Sequence, residues 1–149
     1  MREILFRGQT NNGEWVYGYI AETTLCGCSD THLAKVIYKI PQKIYDAEWF
    51  EVNPETVGQF TGLTDKNGKK IFEGDIIRIE HDLWHGETKK TRESHIGVVF
   101  YNTKTAEFGA KIHGYSNCSS LRRWKGDFNE VIGNIHDNPE LLEGGGDNG

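Results

Sequence analysis

Apolar residues alternate with polar ones in short runs, and each run stops at turn-forming residues. Ile4 and Phe6 share one face of a first strand, Asn11-Asn12-Gly13 turns the chain, and Trp15-Val16-Tyr17-Gly18-Tyr19-Ile20 returns. The odd positions of that return, Trp15, Tyr17 and Tyr19, form an aromatic row on one face, the kind of surface that sheets use for cross-strand packing. Thr23 to Thr31 reads as a small-residue loop, Ala34 to Ile40 as a strand ending before Pro41, and Tyr45 to Val52, with Trp49-Phe50, as a short strand or a single helical turn, the strand being the better reading.

From Glu51 to Glu80 the local code is densest. Asn53-Pro54 begins a turn, because proline fixes φ and pushes the preceding residue out of the helical region. Val57, Gln59 and Thr61 then alternate with Gly58, Phe60 and Gly62, and Asn67-Gly68 supplies the positive φ angles of a tight hairpin turn. Ile71-Phe72 is a short apolar piece and Glu73-Gly74-Asp75 a second turn. In the next strand, Ile77 and Ile79 share a face that Arg78 opposes. Residues 80–95 are polar around Leu83 and Trp84 and read as a long loop or an exposed hairpin excursion. Beyond them, Ile96 to Tyr101 and Phe108 to His113 are strands joined through residues 103–107. Leu121 to Trp124 is a short strand or turn, and Glu130 to Ile135 the last strand. Pro139 sits in the first turn of a short terminal helix, and the glycine-rich residues 144–149 read as a disordered tail.

This pattern predicts an all-β fold of short antiparallel strands, arranged in one or two small, partly open barrels of SH3-like or OB-like size. Residues 1–50 form an N-terminal meander and residues 51–143 a barrel-like subdomain. Glu55 to Phe60 and Glu130 to Ile135 share an order of acid, any residue, β-branched residue, glycine, amide and apolar residue. Either a barrel strand is duplicated, with Gly58 and Gly133 at matching bends or bulges, or a generic strand pattern recurs by accident.

The segments Pro54 to Leu63, Asp65 to Lys69 and Ile71 to Ile76 resemble the YopX proteins of bacteriophages and prophages. The opening Arg2 to Gly8 and the stretch Val131 to Leu142 resemble the beginning and end of that family, so the likeness spans essentially the whole chain. It implies a small, phage-encoded, β-rich protein without an established biochemical activity. It supplies no catalytic residues.

Composition narrows the classes. With 149 residues the chain suits one domain or two small ones. No run approaches the roughly 18 apolar residues of a membrane span, and the N-terminus lacks the apolar stretch of a signal peptide. These features predict a soluble, intracellular protein that makes no membrane contact, and the resemblance implies the cytoplasm of a bacterial host. Three cysteines, an odd number, suit reduced thiols there. A net charge of −5 argues against nonspecific coating of duplex DNA, which needs a clustered basic face.

Candidate chemistry is sparse. Cys26, Cys28 and His32, with Cys118 far along the chain, have donors that suit zinc, but one residue separates Cys26 from Cys28 where a zinc knuckle has two. Ordinary loop thiols are the better reading. His81 and His85 have a spacing that would share a helical face, yet nothing else in that stretch is helical, so both read as parts of a solvated loop. The sequence therefore predicts no metal and no cofactor. No nucleophile elbow, phosphate loop or carboxylate pair marks an enzyme, and turn chemistry alone explains Glu73-Gly74-Asp75.

Arg122, Arg123 and Lys125 around Trp124 combine phosphate-tracking charge with a base-stacking ring, as single-strand nucleic-acid binders do. The alternative is a solvated face in which arginine packs on the indole. Trp15, Tyr17, Tyr19 and Trp84 are candidate interface aromatics. The expected function is that of a phage accessory protein that binds a phage or host protein, or itself, and does not catalyse. Binding of single-stranded nucleic acid through Arg122 to Lys125 is the alternative.

Overall fold

Along the second strand Val16 and Gly18 are buried while Tyr17 and Tyr19 are exposed, and this alternation builds most of the molecule. The structure, a computed structural model, describes residues 3–26, 31–38, 48–114, 118–124 and 128–143. Among these described residues the regular structure is antiparallel β apart from two 3-10 turns and one short helix, as the alternation predicts. The chain forms two compact units, residues 1–60 and 61–149.

In the first unit the strands β1 (Phe6–Gln9), β2 (Trp15–Cys26), β3 (Thr31–Tyr38) and β4 (Trp49–Glu51) lie in the order β4-β3-β2-β1, and the start of β5 (Gly58–Thr64) pairs with β1. Gly13, at φ +82°, closes the β1–β2 hairpin, with Gln9 opposite Trp15. Strands β2 and β3 extend to Cys26 and Thr31, further into the expected Thr23–Thr31 loop than composition suggested. Val16, Ile37 and Val52 form the core, with Phe6, Phe50 and Val57 packed against them.

Because β4 pairs with β3 and Val52 and Val57 complete this core, the unit extends to Phe60; the sequence pattern had set a division at residue 50. The turn begun by Asn53-Pro54 is a single 3-10 turn, Pro54–Thr56, with the Asn53 side chain accepting from the Glu55 N–H. Buried Thr56 fastens it down: its hydroxyl accepts from the Gln9 N–H at 2.8 Å and donates to the Asn53 carbonyl at 2.7 Å.

Gly8 lies where β1 crosses this core. A Cβ there would come within 2.9 Å of Val52 Cβ and 3.1 Å of Ile37 Cδ1. Gly8→Ala should therefore lower stability by about 1–3 kcal/mol, the usual cost of overpacking. An unchanged urea midpoint would show that the core accommodates the methyl group.

In the second unit the remainder of β5 pairs with β6 (Lys70–Phe72). Strands β7 (Asp75–His85), β8 (Lys89–Asn102), β9 (Glu107–Ile112), β10 (Cys118–Ser120) and β11 (Asn129–Asn134) form a sheet in the order β10-β9-β8-β7-β11. Its core holds Ile71, Ile77, Ile79, Val99, Ala110, Ile112 and Leu121, all but Ile112 nearly inaccessible, while Arg78 faces solvent. Leu121 starts a 3-10 turn, Leu121–Trp124, and α1 (Glu140–Glu143) follows Pro139.

The sheet stays open rather than closing as a barrel, because β10 and β11 end it as short edges. Residues 80–95 are the two arms of a long hairpin, not a loop. The expected disorder of residues 144–149 falls outside the described residues.

Candidate functional site

The densest sequence motif proves to be a structural clasp. Asp65 is buried at the mouth of the β5–β6 turn, where its Oδ1 accepts from the N–H groups of Asn67 and Lys69, both at 2.9 Å. Its Oδ2 accepts from the Val131 N–H on β11 at 3.0 Å, tying the turn to a strand 66 positions away. Burial pushes this carboxyl upward, but the hydrogen bonds from Val131, Lys69 and Asn67 and the Lys69 charge together hold it below the ordinary 3.8. Gly68 at φ +79° gives the turn its shape; Asn67 does not share the positive φ expected of the Asn67-Gly68 pair.

The second acid of the motif behaves similarly. Asp75, fully buried, accepts from the Phe72 N–H at 2.8 Å. Between them Gly74, at φ +84°, donates to the Val99 carbonyl and accepts from the Ile135 N–H, both at 2.9 Å. Turn chemistry thus accounts for both aspartates.

Gly133 stands at a register shift of β11 against β7, as glycine inside a strand suggests, and Asn138 packs directly on it. Gly58 is buried opposite Arg7 in the regular β1–β5 pairing.

The aromatic row of β2 lies on the outer face of the first unit. Trp15 is half-buried, with the guanidinium of buried Arg7 4.7 Å over its ring, whereas Tyr17 and Tyr19 are 43% and 39% exposed. Register extends the row: Tyr19 stands opposite Tyr38, and Tyr38 opposite Trp49, which is 54% exposed. Phe50, its neighbour, turns inward onto the core. Trp84 is placed on β7 opposite Lys90.

The basic candidates lie elsewhere. Arg122 and Arg123 are exposed on the Leu121–Trp124 turn, which buried Leu121 anchors, and Lys125 falls outside the described residues. Cys28 also falls outside them. Cys26 ends β2 opposite Thr31, His32 is the second residue of β3, opposite Leu25, and Cys118 is a free, exposed thiol on β10.

The hairpin of residues 75–102 assembles a cluster that the sequence reading passed over. His81 is not in a solvated loop: it stands on β7 directly opposite Glu93, and His95 lies two residues further along β8 on the same face. The two imidazoles stack with centroids 5.3 Å apart. Glu93 Oε2 is 3.3 Å from His95 Nε2 and 3.9 Å from His81 Nε2. His85 instead shares a 2.9 Å hydrogen bond with the Thr91 hydroxyl. Recognising a hairpin centred on Glu87 would have revealed the cluster, since that register alone sets His81 against Glu93.

Taken together, these features define a two-unit antiparallel β protein with open sheet edges and an aromatic outer face. The chain belongs to the YopX protein family, whose model matches residues 5–143. It is similar, at 28% identity and a TM-score of 0.49, to the crystal structure of protein EF1440 from Enterococcus faecalis, with 95% of this chain and 99% of that one covered. No curated protein matches. Among the described residues no helix is long and apolar enough to cross a membrane.

Proposed function

We propose that this protein is a phage or prophage accessory factor that acts in the bacterial cytoplasm by binding protein, another copy of itself included, rather than by catalysis. The carrying observation is the outer face of the first unit, where Tyr17 and Tyr19 on β2 and Trp49 on β4 are exposed, with Tyr19 and Trp49 in register across β3. Aromatic side chains bury large areas at low conformational cost and are enriched at interface centres. The same sheet ends in β4, a three-residue edge that itself carries Trp49, so that one partner can meet both edge and face. A self-complementary two-fold contact is the commonest way for identical chains to cover such a face.

Sedimentation velocity tests the role of this face. The Tyr17→Ser/Tyr19→Ser/Trp49→Ser variant should sediment as a smaller species than the unsubstituted chain at equal concentration. Identical sedimentation of the two folded proteins would remove the face from the account.

A second reading rests on the exposed Arg122 and Arg123, which offer charge to a single-stranded nucleic acid. Fluorescence anisotropy with a labelled oligonucleotide separates the two. Binding that falls with salt and with Arg122→Ala/Arg123→Ala would favour it.

A further inference from the structure

The β7–β8 hairpin carries two unlike faces. On one, each acid has its own cation: Arg92 reaches Glu80 at 2.7 Å and Lys90 reaches Asp82 at 2.7 Å. On the other, the Glu93 carboxylate faces two imidazoles, those of His95 and His81. That second face continues the row of Ile77 and Ile79 outward from the core, and the histidine side chains retain only 20% and 22% exposure. One donor atom from each of His81, Glu93 and His95 lies within 4.8 Å of the others.

This geometry approaches what a metal requires. Zinc bonds of about 2.0–2.1 Å to nitrogen and oxygen in a tetrahedron set donor atoms roughly 3.3–3.5 Å apart. The Glu93–His95 pair already has that spacing at 3.3 Å, the Glu93–His81 pair stands at 3.9 Å, and all three donor atoms lie within 4.8 Å of one another. Strand pairing fixes the backbone beneath all three residues, so little order remains to be imposed on binding. Two imidazoles and one carboxylate suit zinc, nickel or copper, whereas magnesium and calcium favour oxygen donors alone.

We propose that His81, Glu93 and His95 form a three-ligand site for a divalent transition-metal ion of the zinc class on the inner face of this hairpin. Three protein ligands leave a fourth position for water or for a donor from another molecule. The site is independent of the aromatic face and does not depend on the protein-binding reading.

Calorimetric titration of the full chain with zinc chloride, in a non-coordinating buffer with the cysteines reduced, tests the assignment. One equivalent should bind, and His81→Gln and His95→Gln should each weaken binding at least tenfold. Glu93→Gln, nearly isosteric and partly exposed, should do the same, while Cys26→Ser/Cys28→Ser should not. Thermal melting of each variant without metal confirms that it is folded. Cobalt substituted at the site should give d–d absorption without a thiolate-to-metal band. Absence of saturable binding, affinity unaffected by all three substitutions, or a thiolate band lost with the cysteines would each overturn the proposal.

Discussion

Asp65→Ala should be the most damaging single substitution in the β5–β6 turn, lowering the unfolding free energy by about 3–5 kcal/mol, since each backbone N–H left without its acceptor costs about 1–3 kcal/mol. The side chain receives three backbone N–H groups, from Asn67, Lys69 and Val131, and alanine would leave all of them without that acceptor. Asp65→Asn is the sharper probe. Its amide oxygen can serve the turn, but its NH2 group then faces the Val131 N–H, donor against donor, and the attraction of Lys69 is lost. About half the alanine effect is expected, since one charge-assisted bond is worth about 1.5–3 kcal/mol.

The sign of the pH dependence follows from the carboxyl lying below its ordinary 3.8. A depressed acid contributes its full stabilisation above the unfolded-state value and loses it as pH falls through the folded-state value. The gap in urea midpoint between the natural protein and Asp65→Asn should thus hold steady from neutral pH down to roughly the ordinary carboxyl value, about 3.9, and narrow below it. Equal midpoints at pH 7 would show that the clasp contributes nothing.

Gly133→Val should have the second largest effect, about 2–3 kcal/mol, the upper part of the usual range for overpacking, because a β-branched side chain has no room there. A Cβ at this bulge would lie 2.6 Å from Asn138 Oδ1, 2.9 Å from its Cγ and 3.0 Å from its Cβ. Asn138 cannot simply swing aside. Its Oδ1 accepts from the Asn134 N–H at 3.3 Å, and its own N–H donates to the Asn134 carbonyl at 2.9 Å. Since three of the crowded atoms belong to one side chain, Asn138→Gly should recover part of the loss. A double-mutant cycle with strictly additive costs would show that the strain arises elsewhere.

These two residues show what sequence discloses. The Asn67-Gly68 hairpin, the Gly74 turn, the Ile77–Ile79 face and the Gly133 bulge were legible because turn chemistry and period-two alternation are local properties of the chain. That Asp65 would reach Val131 was not, since a contact across 66 positions is decided by strand order rather than by neighbours. Residues 80–95 read as a loop or excursion because both faces of that hairpin are polar: ion pairs cover one and His81, Glu93 and His95 the other. Without an apolar face, alternation gives no signal, and the cluster stays hidden until register is known. The aromatic row of β2 was legible, but its continuation to Trp49 depends on β4 returning beside β3.

The central claim, that the outer aromatic face is covered by protein, is tested most directly by light scattering coupled to size exclusion across a concentration series. The account predicts a mass rising to about twice the 16.9 kDa of one chain, the two-fold pair being the commonest closed assembly. A single species of 16.9 kDa that persists at high micromolar concentration would contradict it.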